Sequence, residues 1–427
     1  MENSRRGWQI GRISGIPVLV DPSWLLIIFL FALGFNNFYK DSLPQWSLGI
    51  GLGVGLLYFA SILLHELAHS IVAQRSGIKV NFVVLHFFGG LSSLEREPKT
   101  PLTEALVAGA GPLTNLILSF VGLSLVYALV GSHFPSLVNK EGIGKLLDSQ
   151  NSFIVATAIV LYRVASLNLF VAVINIFPGL PLDGGRLLRA LLWWLYRSKY
   201  QGTVTAARSG QFLGWIIIIY GVLVVISLGS FGGVLLILIG WMFLSEATQT
   251  LRLTELQFAL TKTTAEVTMT RDFRLVDGGT TLREFADNYL LKEQSNIRPL
   301  YFATTDGRDR GWIDPQKLSQ IPTDRWSEET VESIATPLKS LVTVDLSMSL
   351  NQIINTLEAN KLKWVAVLSP VGSVAGVIDR GDILRALGKV MRWNLAESFI
   401  QQVKQEGVFP PVLPLAEISA QLQDNYN

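Results

Sequence analysis

Cysteine is absent from this chain of 427 residues, and histidine occurs only four times. The absence of thiols excludes disulfide bonds, zinc sites built from thiolates and cysteine nucleophiles. Any imidazole-based metal site must therefore draw on His65, His69, His86 and His133.

Charge is also scarce, at 16% of the residues, and the net charge is +2. The basic residues are divided among the flanks of apolar segments and do not form one stripe, so no nucleic-acid partner is expected. Charged residues are rare before about residue 250 and frequent after it. With a mean hydropathy of +0.39, this division predicts a membrane domain over residues 1–250 followed by a soluble domain.

Long uncharged segments locate the membrane spans, because a spanning helix needs about 20 mostly apolar residues. Uncharged gaps separate Asp21 from Lys40, Asp41 from Glu66, Glu104 from Lys140, and Arg208 from Glu246. The last gap is interrupted by the glycine-rich residues 229–233, which indicates two helices joined by a tight turn. A further apolar segment covers residues 164–182. Together these segments predict six helical spans.

Lysine and arginine are concentrated on alternate loops, and such loops lie on the cytosolic side. The enriched loops carry Arg5, Arg6, Arg12, Arg75, Lys79, Arg96, Lys99, Arg186, Arg189, Arg197, Lys199 and Arg208. The opposite loops carry Lys40, Lys140 and Lys145. This asymmetry predicts that both termini and the soluble domain are cytosolic. The bilayer is then an inner or plasma membrane, or an organelle membrane such as the thylakoid.

The apolar second span ends in "LLHELAHS", residues 63–70. Two histidines four residues apart project from nearly the same face of a helix and can bind one ion. Zinc accepts two imidazoles and one further protein ligand while leaving a position for water, for which Glu66 is the natural general base. The pattern also occurs by chance on solvated helices. Here His65, Glu66 and His69 lie in an apolar helix, where ionisable groups need a local partner, and this favours a metal.

A third ligand is then required from elsewhere in the chain. His86 lies in an apolar, strand-like segment, and His133 lies beyond the third span on the outer side, so neither is well placed. Asp183 follows the fourth span on the same side of the membrane as His65 and His69. It is therefore the better candidate, although an aspartate before two glycines is also typical of a simple turn.

The fourth span contains helix breakers just before Asp183, namely Pro178, Gly179 and Pro181. Irregular backbone at membrane depth is tolerated where it lines a cavity or is packed in protein. These residues therefore predict a wet pocket next to Asp183.

The pair of motifs "HELAH" and "NIFPGLPLDG" resembles the signature of the site-2 protease family of intramembrane zinc metalloproteases, over roughly residues 1–250. The resemblance implies a polytopic α-helical membrane domain that holds one Zn2+ per chain. It implies that His65, His69 and Asp183 are the metal ligands, that Glu66 is the catalytic base and that Asn175 holds the substrate carbonyl or oxyanion.

Residues 111–115, "GPLTN", match a further element of that family, in the span between the two motifs. Gly109, Gly111 and Pro112 are interpreted as close-packing and kink residues, as is usual for small residues in membrane helices. Asn115 fits either a hydrogen bond between helices or a place in the active site.

The loop after the first motif contains "FFGGLSS", residues 87–93. The family often has a membrane-associated hairpin there, which offers a strand edge to an unwound substrate. The alternative is an ordinary glycine turn.

Two segments after residue 255 resemble each other, and each has a helix with apolar residues at helical spacing, a β-rich stretch, a glycine turn and another strand. They resemble a tandem CBS pair, an α+β module that commonly binds adenosine nucleotides such as ATP, ADP or AMP. The pair is expected over residues 251–395. It can also form a homodimer through two copies, or serve a structural role only.

The nucleotide contact expected in that module is an acid three residues after a hydroxyl residue. In the second repeat Asp382 supplies the acid, and Asp379 replaces the hydroxyl residue. In the first repeat Lys317 stands where the acid would be, so at most one ribose site is expected. The proline-containing extension, residues 396–427, is interpreted as a strap or linker without an assigned function.

These features together predict an intramembrane zinc endopeptidase that hydrolyses a peptide bond in or near the transmembrane segment of a single-span membrane protein in the lipid bilayer, and that is modulated by its CBS pair. One alternative is a CBS-regulated channel or transporter with a metal or proton relay. Another is an inactive relative that only binds membrane proteins. Glu66 beside a three-ligand set favours hydrolysis, since transport does not need a general base.

Overall fold

The computed structural model describes residues 7–86, 89–292 and 299–426. The chain divides into two compact units, Met1–Thr254 and Glu255–Asn427. Long apolar helices dominate the first unit, whereas the second mixes short helices with strands.

The helices of the first unit follow the predicted membrane spans. In chain order they are α1 (Ser23–Tyr39), α2 (Ser47–Arg75), α3 (Pro101–Val130), α4 (Lys140–Ser149), α5 (Ser152–Ile176), α6 (Asp183–Tyr196), α7 (Lys199–Leu228) and α8 (Phe231–Lys262). Within the described residues, α2, α3, α5, α7 and α8 are long and apolar enough to cross a membrane, and α1 is a shorter apolar helix. The prediction of a polytopic α-helical unit with about six spans is confirmed.

The fourth span differs from its predicted position. The apolar run predicts a span over residues 164–182, whereas α5 covers Ser152–Ile176. The helix therefore continues through Arg163, whose charged side chain has partners inside the unit. Its Nε donates a hydrogen bond to Tyr39 Oη at 2.9 Å, and its guanidinium lies 5.7 Å from the centre of the Phe38 ring. A charge with such partners is tolerated within a membrane helix.

The helices turn large apolar side chains outward and small residues toward one another. Phe120, Ile226 and Leu228 are all at least 74% exposed, as suits faces that contact lipid. Between α7 and α8, a Cβ on Gly214 would lie 2.9 Å from Gly240 O, so the two backbones touch directly. Close approach at small residues is a common basis of helix packing in membranes.

A four-stranded sheet accompanies the helices. Its strands are β1 (Trp8–Ile13), β2 (Ile16–Val20), β3 (Val80–His86) and β4 (Gly89–Leu94), in the order β1-β2-β3-β4. The strand β2 pairs parallel with β3, and the other neighbours are antiparallel. The hairpin expected after the first motif is thus formed by β3 and β4, and β4 lies at an edge of the sheet. Phe87 and Phe88 of that segment lie outside the described residues.

The chain breaks between α5 and α6, where the sequence places its prolines and glycines. The helix α5 ends at Ile176, and Asp183 begins α6. In the intervening segment the Leu180–Pro181 peptide bond is cis, and Leu180 N donates to Ala206 O at 3.2 Å. The break thereby turns Asp183 back toward the helices that precede it.

The second unit is built from two similar halves. Its strands are β5 (Phe273–Asp277), β6 (Leu300–Thr305), β7 (Arg308–Ile313), β8 (Ala335–Pro337), β9 (Thr343–Asp345), β10 (Trp364–Leu368) and β11 (Val374–Asp379). They form the sheets β5-β6-β7-β8 and β11-β10-β9, each with one parallel pair followed by an antiparallel pair. The predicted α+β, CBS-type architecture is confirmed.

Among the described residues, six α-helices lie wholly within this unit, and the end of α8 after Thr254 also belongs to it. They are α9 (Ala265–Thr268), α10 (Leu282–Phe285), α11 (Leu350–Ala359), α12 (Arg380–Met391), α13 (Glu397–Glu406) and α14 (Leu415–Tyr426). The proline-containing stretch between α13 and α14 is irregular, as the sequence predicts. The extension as a whole is not a loose strap, however, because Val403, Leu415 and Leu422 belong to the core of the second half.

Candidate active site

Two histidines of α2 and the first residue of α6 meet inside the membrane unit. His65 Nε2 and His69 Nε2 are 3.1 Å apart, and each lies 3.3 Å from Asp183 Oδ2. The two histidines are buried, and the Asp183 side chain is 12% exposed. Among the described residues these three side chains form a group whose ligand atoms are close enough to share a metal ion.

The spacing of the three ligand atoms fits zinc. Two atoms that each lie 2.0–2.1 Å from a tetrahedral zinc ion are about 3.3 Å apart. All three separations are close to this value. The donor set of two imidazole nitrogens and one carboxylate oxygen is also that of a catalytic zinc site with one open position.

A hydrogen bond fixes which nitrogen of His69 faces the site. His69 Nδ1 lies 2.6 Å from Val107 O, and since a carbonyl oxygen can only accept, Nδ1 must carry the proton. The lone pair of His69 Nε2 is then directed toward His65 and Asp183. Backbone carbonyls commonly orient metal-binding histidines in this way.

The helix α3 passes directly behind the imidazoles. A Cβ on Gly111 would lie 2.5 Å from His65 Nε2 and even closer to His69 Nε2, so only glycine fits there. This contact agrees with the close-packing role predicted for Gly111. One turn further along, Asn115 is buried, and within the described residues its Oδ1 has no hydrogen-bond partner.

Asp183 is placed by the backbone that follows it. Cβ atoms on Gly184 and Gly185 would collide with the backbone of the α5–α6 connection, at Ile176 and at Gly179. The two glycines therefore let α6 start close against the end of α5. Asp183 Oδ1, the oxygen that faces away from the histidines, lies 3.9 Å from Arg186 Nη1.

A buried carboxylate anchors α6 to α3. Glu104 is fully buried, and its Oε1 accepts hydrogen bonds from Arg186 Nε at 3.1 Å and from Arg189 Nη2 at 2.5 Å. These two ion pairs could not be read from the sequence, because the arginines lie 82 and 85 residues from Glu104.

The side chain of Glu66 lies between α2 and β4. Its Oε2 accepts a hydrogen bond from Ser92 Oγ at 2.7 Å, and Gly90 lies against its methylene and carboxyl carbons. Ser92 was not identified as a site residue from the sequence. The only available signal was its place in the glycine-containing hairpin.

The other sequence candidates lie apart from the metal group or are not tied to it by a contact. Asn175 lies in the last turn of α5 and is half-buried, and its proposed role as an amide donor stays a prediction. His86 ends β3, and His133 lies in a 3-10 helix, Gly131–Val138. Neither histidine belongs to the metal group that the described residues form.

In the second unit, Asp382, the residue expected to contact a ribose, is paired with Lys404 of the C-terminal extension. Asp382 is 1% exposed, and its Oδ1 lies 2.7 Å from Lys404 Nζ on α13. Lys404 also lies 3.2 Å from Asp379 Oδ2, and its own side chain is 5% exposed. Burial and the neighbouring Asp379 carboxylate raise the pKa of Asp382 to about 6.

Lys317, which replaces the acid in the first repeat, also has a hydrogen-bond partner. Its Nζ donates to Thr336 Oγ1 at 2.9 Å.

Comparison with known proteins gives the same assignment for the membrane unit. The model of peptidase family M50 matches residues 54–219. A Synechocystis sp. protein named as a zinc metalloprotease is 33% identical over 383 residues, which cover 89% of this chain and 95% of that protein. The chain belongs to peptidase family M50. The model of the CBS domain matches residues 331–389 of this M50 protease, in the second half of its second unit.

A second named relative and a solved structure are also similar to the M50 protease, the first over most of its length and the second over 58% of it. A Mycobacterium tuberculosis protein named as a zinc metalloprotease is 30% identical, over 88% of this chain and 92% of the relative. A solved structure, the site-2 protease from Methanocaldococcus jannaschii, is 26% identical, covers 58% of this chain and 95% of that chain, and has a TM-score of 0.39. The prediction of a site-2-protease-type zinc metalloprotease with a CBS domain is confirmed. With its apolar helices, the chain is a multi-pass membrane protein.

Proposed function

We propose that this M50 protease is an intramembrane endopeptidase that hydrolyses a peptide bond in or near the transmembrane segment of a single-span membrane protein. The observation that carries the proposal is the meeting of His65 and His69 with Asp183 of α6, beside Glu66, where the two histidines and Glu66 lie on a helix long and apolar enough to span a bilayer.

In this proposal His65, His69 and Asp183 hold one zinc ion per chain. Bound zinc supplies a Lewis acid and makes water a stronger nucleophile at neutral pH. Glu66 accepts the proton of the attacking water and later delivers it to the leaving amine. The side-chain amide of Asn175 donates to the substrate carbonyl oxygen, where negative charge develops.

The hairpin supports a proposal for how the substrate is held. The backbone carbonyls of a transmembrane helix accept hydrogen bonds within the helix, so the helix must unwind before a peptide bond in it can be hydrolysed. The strand β4 lies at the edge of its sheet and contacts the catalytic Glu66 through Gly90 and Ser92. We assign β4 as the edge to which the unwound substrate adds as an extra strand.

The protease is proposed to have both termini in the cytosol, in an inner or plasma membrane or an organelle membrane. The distribution of lysine and arginine between alternate loops supports this orientation. Protease protection of tags on each terminus, in sealed vesicles of known orientation, measures it. Protection of either tag from a protease added on the cytosolic face contradicts the proposal.

The second unit is proposed to modulate the protease by binding an adenosine nucleotide, ATP, ADP or AMP, with Asp382 on the ribose. Because Lys404 Nζ lies 2.7 Å from Asp382, the nucleotide must displace Lys404 from this carboxylate. Titration of each nucleotide into the full chain tests this. Lys404→Met is expected to bind more tightly than the wild type, and additional Asp382→Asn is expected to abolish binding.

A structural or dimerising CBS pair is the alternative, and the occupied Asp382 favours it. This alternative predicts that neither the wild type nor Lys404→Met binds a nucleotide. A homodimer formed through the CBS pairs is measured by the molar mass of the detergent-solubilised chain.

The test of the protease activity compares membranes from cells that express wild type or Glu66→Gln. Single-span membrane proteins are expected to accumulate uncut in the variant, whereas wild type produces fragments cut within or near the apolar segment. Both proteins are expected to hold about one zinc ion per chain. Glu141→Gln, at an exposed carboxylate on α4, is the control and is expected to cleave normally.

Equal zinc content together with identical processing in wild type and Glu66→Gln would refute the protease assignment. That outcome would favour a channel or transporter, or an inactive relative, because neither needs a general base.

A further inference from the structure

A serine of the edge strand makes a direct hydrogen bond to the catalytic base. Ser92 Oγ lies 2.7 Å from Glu66 Oε2 and 3.3 Å from Glu66 O. A hydroxyl has one proton, and the carboxylate is both the nearer and the more strongly accepting partner. Ser92 therefore donates to the carboxylate.

Ser92 is itself held by a second serine. Ser70, fully buried on α2, donates from its Oγ to Ser92 Oγ at 3.1 Å. Glu66 and Ser70 are four residues apart, so they project from the same face of α2. The three side chains form a chain of hydrogen bonds from Ser70 through Ser92 to Glu66.

The register of β4 directs alternate residues toward α2. Gly90 pairs with Leu85, Leu91 with Val84 and Ser92 with Val83. Because side chains alternate along a strand, Gly90 and Ser92 face the same way, while Leu91 faces the other way and is 55% exposed.

Because Gly90 and Ser92 of β4 face the same way, both contact the Glu66 side chain. A Cβ on Gly90 would lie 2.8 Å from Glu66 Cδ and 3.0 Å from Glu66 Oε1. The backbone at Gly90 thus limits one carboxylate oxygen, and the Ser92 hydroxyl binds the other. A carboxylate held on both sides has little freedom to rotate.

We propose that Ser92 is a positioning residue for the general base. Its hydroxyl orients the Glu66 carboxylate, and Ser70 orients the hydroxyl. The strand that receives the substrate is then also the strand that orients the base, so a peptide paired with β4 meets a base already in position. This inference rests on the proposed function.

The test measures kcat, KM and zinc content of the full chain in detergent or liposomes, with a membrane substrate identified by the Glu66→Gln comparison. Ser92→Ala is expected to lower kcat by about 10- to 100-fold, since a misplaced catalytic group costs up to about that factor. KM and zinc content are expected to stay unchanged. Ser92→Thr, which keeps the hydroxyl, is expected to recover most of the lost kcat.

Two comparisons separate positioning from a general effect of losing a hydroxyl. Ser76→Ala removes an exposed hydroxyl just after α2 that donates to Val72 O at 2.9 Å, and it is expected to keep the wild-type kcat. Ser93→Ala removes the neighbouring hydroxyl on the other face of β4. The loss of kcat in Ser92→Ala must exceed that in Ser93→Ala by about tenfold, in line with the cost of misplacement.

A double-variant cycle gives a readout that a structural role does not move. In a Glu66→Asp background the shorter side chain cannot reach Ser92 in the same way, so Ser92→Ala is expected to add little further loss of kcat. If Ser92→Ala does not accumulate, Ser70→Ala is measured instead, with a smaller loss of kcat expected.

Equal kcat losses in Ser92→Ala and Ser93→Ala, a rise in KM with unchanged kcat, or full additivity with Glu66→Asp would overturn the inference. If the wild type cleaves the substrate and one of these results is obtained, only the positioning role of Ser92 is refuted. Absence of cleavage by wild type defeats the proposed function itself.

Discussion

Gly111 on α3 lies so close to His69 on α2 that a single methyl group at Gly111 would collide with His69 Nε2. The contact places the backbone of one span against the ligand atoms carried by another. The metal site therefore depends on how closely α3 packs against α2, although none of the three proposed ligands lies on α3.

Gly111→Ala is therefore expected to displace the imidazoles and to lower zinc affinity by about 10- to 100-fold, the range typical of changes beside metal ligands. Metal titration of the purified chain measures the affinity. Gly109→Ala is the matched control on the same helix, because its Cβ would meet only Leu187 Cδ2, at 3.9 Å. Equal affinities in the two variants would show that α3 does not shape the site.

Asp183→Asn is expected to lose zinc along with activity, since a neutral amide is a much poorer ligand than a carboxylate. Glu66→Gln is expected to keep zinc and lose activity, because Glu66 is a base and not a ligand. Metal analysis of both purified variants distinguishes the two roles. Retention of one zinc ion in Asp183→Asn would remove Asp183 from the ligand set.

Glu104→Gln is expected to destabilise the membrane unit by about 3–5 kcal/mol, because it removes the carboxylate charge that pairs with the buried guanidinium of Arg189 and with the half-buried guanidinium of Arg186. The thermal stability of the chain in detergent measures the effect. Glu95→Gln is the control, since the Glu95 side chain is 53% exposed and pairs with the exposed Lys79 at 3.5 Å, away from the two arginines. Exposed pairs contribute about 0–1 kcal/mol, and similar losses in both variants would contradict the anchoring role of Glu104.

Lys404→Met is expected to destabilise the second unit more at pH 8 than at pH 5. The folded pKa of Asp382, about 6, lies above its ordinary value of 3.8. The contribution of this group to stability is therefore present at low pH and is lost as the pH rises through about 6. Without Lys404, the ionised Asp382 and Asp379 repel each other at pH 8 with only Arg385, 3.4 Å from Asp382 Oδ1, as a counter-charge among the described residues, whereas protonation of Asp382 relieves the repulsion at pH 5.

Unfolding of the full chain, followed by a signal from the second unit at both pH values, checks this expectation. Lys389→Met, at an exposed position in the last turn of α12, is the control and is expected to show no such pH dependence. A pH-independent loss in Lys404→Met would show that Lys404 contributes packing alone.

The metal group could be predicted from the sequence because its signals are local. The spacing of His65 and His69 places both on one helix face, and the prolines before Asp183 end α5 where the ligand is needed. The positions of both motifs relative to the span ends bring them to the same side of the bilayer.

The contacts that hold the site could not be predicted, because they join residues far apart in the chain. Ser92 and Glu66 are 26 residues apart, and Arg189 and Glu104 are 85 residues apart. The parallel pairing of β2 with β3 likewise joins strands separated by two spans. Hydrophobic periodicity reports local structure, whereas these pairings depend on the folded arrangement of the spans.

The ligands lie on α2 and on the first turn of α6, so a growing chain cannot assemble the proposed metal site until residue 183 has left the ribosome. The protease is therefore expected to stay inactive until its chain has been made at least as far as α6, and a chain that ends before residue 183 is expected to lack the site.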